Sequence, residues 1–298
     1  TYLKAGVTTV LGTSMTLPVD QLLKIFTAYR EFADHQTHGA RMVGINMEGP
    51  FISAAKKGAH IAEYVVPADF ETFQKLNEAS GGRIRQVDVA PEIPGNLDFI
   101  RKASEVCTVC VAHTAGGYEE AMAAYAAGAA SNTHLYNAMS GFSHRAPGVV
   151  GAVFDSDTFA EIICDGFHIN PAVIRATFRE MGDDRLCLIS DSLRAAGCPN
   201  GVYELGGQQV HVQDGKATLE NGTIAGSVID SRIAVERAIA FGVGEETALK
   251  AATINPARAT RLDREIGSIT VGKLADLLVV SDCQYRSLEE IYQGGVRQ

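Results

Sequence analysis

Apolar strands alternate with amphipathic helices along most of this chain, and the alternation restricts the folds that it can adopt. Three of the strand segments read "ARMVGINME" (40–48), "VCTVCVAH" (106–113) and "RLCLISDS" (185–192), and helical patterns such as "LPVDQLLKIFTAYREFADH" separate them. Near-continuous apolar strands are typical of parallel sheets that helices cover. About seven such strand–helix units favour an α/β fold of the (β/α)8 TIM-barrel type over an open sheet.

The pattern changes in the last third of the sequence. A stretch from residue 201 to 227 has short alternating strands with Gly-Gly, Asp-Gly and Asn-Gly between them, which are signals for β-hairpins. We therefore predict a barrel domain over residues 1–264 with a β-hairpin insertion at about 202–224. The final segment, 265–298, is predicted to be the C-terminal part of a small β-module.

Composition excludes some classes of partner. The net charge of −9 argues against a nucleic-acid partner, and no apolar run reaches the roughly 20 residues that cross a membrane. The start of the sequence has no basic segment and cleavage site typical of a signal peptide. Six cysteines spread over 298 residues fit a reducing compartment, so we expect a cytoplasmic protein. Cys107 and Cys110 are predicted to be small core residues rather than a redox pair.

Polar residues stand where the apolar strands end. Because the carboxyl ends of the strands in a parallel barrel meet on one face, we expect these side chains to converge there. An ionised carboxylate such as that of Glu48 needs a cation or hydrogen-bond donors if it leaves water. Carboxylates and imidazoles together suit Zn²⁺, Fe²⁺ or a similar divalent ion. The strand-end residues are Glu48, His113, His134, Asp165, His168 and Asp191.

Several short motifs resemble the amidohydrolase superfamily, and within it the group of N-acetylglucosamine-6-phosphate deacetylases. The resemblance runs from about residue 5 to residue 298, so it covers nearly the whole chain. "EGPF" with "THLYNAM" is specific to this group, whereas "GSITVGKLADLLVV" is shared more widely in the superfamily. The other matching stretches are "KKGAH", "APE", "AHT", "RAPG", "DGFH", "SDS", "NGTIAGS" and "NPARA".

The resemblance implies a role for each matching residue. Glu48, His113 and His134 would be the ligands of one divalent metal ion, and Asp191 would be the catalytic acid and base. His60 would help to polarise the carbonyl of the acetyl group. Arg145 would bind phosphate, across the interface of a homodimer in known relatives. The substrate-binding residues that the resemblance implies are Ala59, His60, Asn137, Ala138, Arg145, His168, Ile224, Ala225 and Gly226.

The activity that the resemblance implies is hydrolysis of the acetamide of N-acetylglucosamine 6-phosphate to glucosamine 6-phosphate and acetate. One alternative is a related amidohydrolase, such as a deacetylase for the galactosamine epimer, and another is a catalytically silent protein that binds sugar phosphates. Asn46 and Ala146 depart from the group, in which His and an acid are frequent at these positions. Relatives carry an earlier strand and the first half of the β-module, so we expect this sequence to be a fragment or an incomplete record.

Overall fold

The computed structural model describes residues 2–281 and 287–298, and these residues form two compact units. One unit is Thr9–Phe159. The other joins the described residues up to Thr8 to those from Ala160 to Gln298. The predicted domain boundary at residue 264 does not coincide with the boundaries of these two units, and it stays a prediction. Cys283, one of the six cysteines considered above, lies outside the described residues.

The unit Thr9–Phe159 is built on a parallel sheet in the order β1-β2-β3-β4-β5. Its strands are β1 (Thr9–Ser14), β2 (Arg41–Met47), β3 (Ile84–Val89), β4 (Thr108–Val111) and β5 (Ser131–Asn132). Its helices are α1 (Val19–His35), α2 (Phe70–Ala79), α3 (Asn96–Ala103), α4 (Tyr118–Ala127) and α5 (Gly148–Phe154). Each strand pairs with the next one along the chain, so all the carboxyl ends lie at one edge of the sheet.

Local sequence explains where these elements begin and which face they bury. In α1 the buried side chains are Leu22, Phe26 and Tyr29, at the spacing of one helical face. The carboxylate of Asp69 caps α2 by accepting a hydrogen bond from the Thr72 backbone N–H at 2.8 Å. Every residue of β4 is buried, as predicted for a strand covered on both faces. Cys107 and Cys110 are both buried, which confirms the core prediction for this pair.

The predicted strand "ASNTHLY" is shorter than the sequence pattern indicates. β5 ends at Asn132, and the backbone then enters the left-handed region at His134, Tyr136 and Ala138, with φ of 33°, 79° and 49°. Residues in that region cannot continue a strand. The chain therefore turns immediately after β5, and the turn carries the polar side chains of the "NTHLYNAM" motif.

The second unit holds a parallel pair, β6 (Ala160–Ile163) with β7 (Leu186–Ile189), and two antiparallel sheets. One antiparallel sheet is the predicted hairpin region, with β8 (Gly201–Leu205), β9 (Gln208–Gln213) and β10 (Lys216–Leu219). The other contains β11 (Leu277–Val280), β12 (Leu288–Gln293) and β13 (Val296–Arg297), within the predicted C-terminal β-module. The helices are α6 (Pro171–Met181), α7 (Ser231–Ala240), α8 (Glu245–Ala252) and α9 (Ile254–Ala259). Among the described residues, no helix has the length and apolar character needed to span a membrane.

Candidate metal centre and active site

Three predicted metal ligands lie together at the carboxyl ends of β2, β4 and β5. The Oε1 atom of Glu48 is 3.0 Å from Nε2 of His113 and 3.3 Å from Nε2 of His134. The two Nε2 atoms are 3.0 Å apart. Ligands about 2.0–2.1 Å from one tetrahedrally coordinated ion would be separated by roughly 3.3 Å. The spacing of the three atoms therefore fits a single shared cation.

Hydrogen bonding fixes the orientation of the His113 ring. Its Nδ1 lies 2.8 Å from the carbonyl oxygen of Lys56, which can only accept, so Nδ1 carries the proton. In the neutral ring Nε2 is then a lone-pair donor toward the site, as a metal ligand requires. Burial, with the neighbouring His134, lowers the pKa of His113 despite the opposing effect of Glu48. The ring is accordingly neutral at pH 7.

The negative charge of the buried Glu48 carboxylate also favours a cation at this site. Burial acts to raise the pKa of this carboxyl group, but the imidazoles of His113, His134 and His60 outweigh it and hold the pKa well below its usual range. That lowering needs a proton or another positive charge on the imidazole side of the carboxylate, whereas the neutral His113 ring has no proton on Nε2, 3.0 Å from Oε1 of Glu48. Two acceptors at this distance repel each other unless positive charge lies between them. The donor set thus fits a divalent metal ion on chemical grounds.

His60 lies beside this cluster, but its ring proton is on the nitrogen opposite to the one that is protonated in His113. Its Nδ1 accepts a hydrogen bond from the Thr16 backbone N–H at 3.1 Å, so the neutral ring carries its proton on Nε2. That Nε2 lies 3.5 Å from Oε1 of Glu48. The ligand atoms of Glu48, His60 and His113 all fall within 4.8 Å of one another, so distance alone would admit His60 as a ligand. Protonation instead favours His60 as a hydrogen-bond donor at the edge of the site.

The loop after β5 carries two predicted substrate residues and is fastened to the loop of His113. The Asn137 backbone N–H donates to the carbonyl oxygen of His134 at 3.0 Å, and the Ala138 carbonyl oxygen accepts from the Thr114 N–H at 3.1 Å. Lys56 joins the same network through its ammonium group, which donates to the Met139 carbonyl oxygen at 3.0 Å. The structure therefore brings Asn137 and Ala138 to the ligand cluster.

Arg145 and Ala59 are the other substrate candidates in this unit. Arg145 is exposed in the loop before α5, and no ion pair of its guanidinium is found among residues 2–281 and 287–298. Ala59 precedes His60, two residues after Lys57, whose ammonium group donates to the His60 carbonyl oxygen at 3.0 Å. Arg145 is thus separate from the contacts of the ligand cluster, whereas Ala59 adjoins His60.

Asp191 belongs to the other unit, two residues beyond β7. Its backbone is left-handed, with φ of 47°, and its carbonyl oxygen accepts a hydrogen bond from the Ser227 N–H at 2.7 Å. Gly226 has a φ of +61°, and a Cβ there would lie 2.9 Å from the Asp191 carbonyl oxygen. The predicted loop Ile224–Gly226 therefore closes directly against the turn that carries Asp191.

His168 is held by Asp165 in the same unit. Nδ1 of His168 lies 2.6 Å from Oδ2 of Asp165, whose Oδ1 accepts from the backbone N–H groups of Phe167 and His168 at 2.8 and 2.9 Å. Burial acts to raise the pKa of Asp165, but these contacts with His168 and Phe167 lower it overall. An ionised Asp165 thus fixes the His168 ring with Nε2 directed away from the carboxylate.

The carboxylates that hold the loops of His113 and His134 were not predicted from the sequence. Glu92 accepts a hydrogen bond from the hydroxyl of Thr114, the residue after His113. Asp88 accepts one from the hydroxyl of Thr133, the residue before His134. Glu92 stands in the "APE" stretch, which marked the resemblance without a role. These contacts join segments that are distant in sequence, so periodicity carries no signal for them.

Comparison with known proteins identifies the family of this chain. The model of the amidohydrolase family matches residues 1–295. An N-acetylglucosamine-6-phosphate deacetylase from Bacillus subtilis is 37% identical over 94% of this chain and 72% of its own length. An N-acetylgalactosamine-6-phosphate deacetylase from Escherichia coli O157:H7 is 32% identical over 93% of this chain and 74% of its own length.

A solved structure shows the same relationship. It is a mutant N-acetyl-D-glucosamine-6-phosphate deacetylase from Mycobacterium smegmatis in complex with N-acetyl-D-glucosamine-6-phosphate. It superposes with a TM-score of 0.90 at 30% identity and covers 97% of this chain and 76% of its own. The likeness confirms the predicted fold class, an α/β barrel of the amidohydrolase type. This chain belongs to the amidohydrolase family.

Proposed function

We propose that this protein hydrolyses the acetamide group of N-acetylglucosamine 6-phosphate, giving glucosamine 6-phosphate and acetate. The observation that carries the proposal is the cluster of Glu48, His113 and His134, whose three candidate ligand atoms lie within 3.3 Å of one another, a spacing that fits one shared cation. Deacetylases of phosphorylated 2-acetamido sugars among the relatives supply the substrate class.

We assign Glu48, His113 and His134 as the ligands of one divalent ion, either Zn²⁺ or Fe²⁺. A carboxylate and two neutral imidazoles form a donor set that both ions accept. When bound, such an ion lowers the pKa of water and polarises the amide carbonyl. One ion is proposed rather than two, because the described part of the chain brings three ligands of this kind together at this site.

Asp191 supplies the proton transfers in the proposed reaction. Its carboxylate accepts a proton from the attacking water and then delivers a proton to the amine as the C–N bond breaks. His60 has a different role, which is to stabilise charge rather than to transfer a proton. Its Nε2–H is a preformed donor that can stabilise the negative charge developing on the acetyl oxygen.

Replacing His60 by asparagine is expected to lower kcat by about 10²- to 10³-fold and leave the metal content unchanged. Asparagine can place its Oδ1 where Nδ1 accepts from Thr16, but it has no atom at the Nε2 position. The matched variant His134→Asn removes Nε2 from a proposed ligand and should lose the metal. Metal content by mass spectrometry and kcat for both variants check the assignment. Metal loss from His60→Asn as complete as that from His134→Asn would show that His60 is a ligand.

We also propose that Arg145 binds the phosphate group, acting across a homodimer as the resemblance implies. A guanidinium can bind phosphate through two parallel hydrogen bonds. Its exposed position in the loop before α5 supports a contact outside its own unit. We also propose a reducing, cytoplasmic location, which the buried cysteine side chains at Cys107, Cys110, Cys164 and Cys187 support.

Acetate release from three substrates tests the proposed function. We expect metal-dependent turnover of N-acetylglucosamine 6-phosphate, and much weaker turnover of the same sugar without phosphate. Higher turnover of the galactosamine epimer would replace the substrate assignment with the related deacetylase. Binding of the sugar phosphate by the metal-loaded protein without any acetate release would identify the catalytically silent alternative.

A further inference from the structure

Glu92 lies just beyond the end of β3, between the strands that present the proposed ligands. Residues Gln86–Val89 of β3 pair in parallel with Thr108–Val111 of β4, so the segments that follow these two strands are neighbours. The carboxylate of Glu92 consequently reaches the turn after His113. Among the ion pairs of the described residues, none involves Glu92.

Both oxygens of Glu92 accept hydrogen bonds from the two residues that follow His113. Oε2 accepts from the Thr114 hydroxyl at 2.5 Å, and Oε1 accepts from the Ala115 backbone N–H at 2.7 Å. The Thr114 hydroxyl in turn accepts from the Gly116 N–H at 2.9 Å, so its own proton is committed to Glu92. Thr114 is fully buried. The carboxylate therefore organises the entire turn 114–116.

The turn needs these hydrogen bonds because the backbone of His113 has an unfavourable conformation. Its φ of 43° lies in the left-handed region, which a non-glycine residue adopts only where its surroundings impose it. The direction of the His113 side chain depends on that backbone conformation. A group that fixes the turn thus also fixes where Nε2 of His113 points.

The same arrangement occurs at the other ligand histidine. Oδ1 of Asp88 accepts from the hydroxyl of Thr133, the residue before His134, at 2.8 Å. His134 also has a left-handed backbone, with φ of 33°. β3 and the segment after it therefore contribute no proposed ligand but hold both ligand histidines through a carboxylate and a threonine hydroxyl.

We propose that Glu92 is a positioning residue for His113, which acts on metal affinity through Thr114 and Ala115 without contacting the metal. The proposal rests on the metal site assigned under the proposed function. Outer groups that orient a ligand typically change metal affinity by about 10- to 100-fold. Loss of the carboxylate should have an effect in this range, because the Glu92→Gln amide can accept at only one of its two positions.

The test measures the affinity of the purified full chain for Zn²⁺ by competition with a chromogenic chelator. We expect about 10-fold or greater weakening in Glu92→Gln and in Thr114→Val, which keeps the shape of threonine without its hydroxyl. Thr114→Ser restores the hydroxyl and should retain most of the wild-type affinity. Glu105→Gln, which changes an exposed glutamate in the same unit, should match wild type.

Thermal unfolding of the metal-free variants separates positioning from a purely structural role. The proposal is overturned if Glu92→Gln keeps wild-type Zn²⁺ affinity and only its Tm falls, or if Thr114→Ser is as weak as Thr114→Val. In those cases wild type still binds Zn²⁺, so the proposed function stands. Absence of Zn²⁺ binding by wild type would overturn both.

Discussion

Asp191→Asn is expected to reduce kcat for acetate release by about 10²- to 10⁴-fold, the range that a positioned acid or base contributes. An asparagine side chain has nearly the same shape as aspartate but cannot take a proton from water or deliver one to the departing amine. Metal content should remain at the wild-type level, because Asp191 is outside the proposed ligand set. Steady-state kinetics and metal analysis on the same preparation measure both quantities.

The fold should tolerate this variant. The turn at Asp191 is fastened through its backbone, since its carbonyl oxygen accepts from the Ser227 N–H, and asparagine adopts the left-handed region more readily than most residues. Asp214 offers a matched control, an exposed aspartate with φ of 51° in the turn between β9 and β10. Asp214→Asn should keep full activity. Unchanged kcat in Asp191→Asn would remove Asp191 from the mechanism.

Glu48→Gln should abolish stable metal binding and, with it, turnover. Its carboxylate is the negative charge that a cation balances, and an amide in its place supplies no charge to the two neutral imidazoles. Changes in outer groups already weaken metal affinity by about 10- to 100-fold, so loss of a ligand charge should cost more than about 100-fold. Competition with a chromogenic chelator, as for the Glu92 variants, measures the Zn²⁺ affinity of Glu48→Gln.

Thermal stability provides a second readout for Glu48→Gln. A ligand that binds only the folded state at 100 times its Kd stabilises a protein by about 2.7 kcal/mol. Zn²⁺ should therefore raise the Tm of wild type but leave that of Glu48→Gln unchanged. Glu78→Gln, an exposed glutamate on α2, should respond to Zn²⁺ as wild type does. An equal Zn²⁺-induced rise in Tm for Glu48→Gln would place the ion elsewhere.

The gathering of Glu48, His113 and His134 could be predicted because it follows from strand order. Each stands within two residues of the end of a parallel strand, and successive strands pair side by side, so their ends share one edge. The length of β5 could not be predicted in the same way. "ASNTHLY" has the composition of a strand, but the left-handed backbone at His134 ends it, and no periodicity signals that conformation.

The chemical roles of the histidines depended on contacts that the sequence does not show. His60 and His113 are equally plausible ligands by residue type. Their hydrogen bonds differ, since Nδ1 of His113 donates to the Lys56 carbonyl oxygen and Nδ1 of His60 accepts from the Thr16 N–H. That difference assigns one ring as a lone-pair donor and the other as a proton donor. It arises from loops that meet only in the folded chain.

Anomalous diffraction at the zinc edge, from crystals of the wild-type protein grown with Zn²⁺, tests whether Glu48, His113 and His134 share one metal ion. We expect one strong peak within bonding distance of Glu48 Oε1, His113 Nε2 and His134 Nε2, with His60 outside bonding distance. A strong peak bonded to His60 in place of His134, or bonded to none of these side chains, would contradict this expectation.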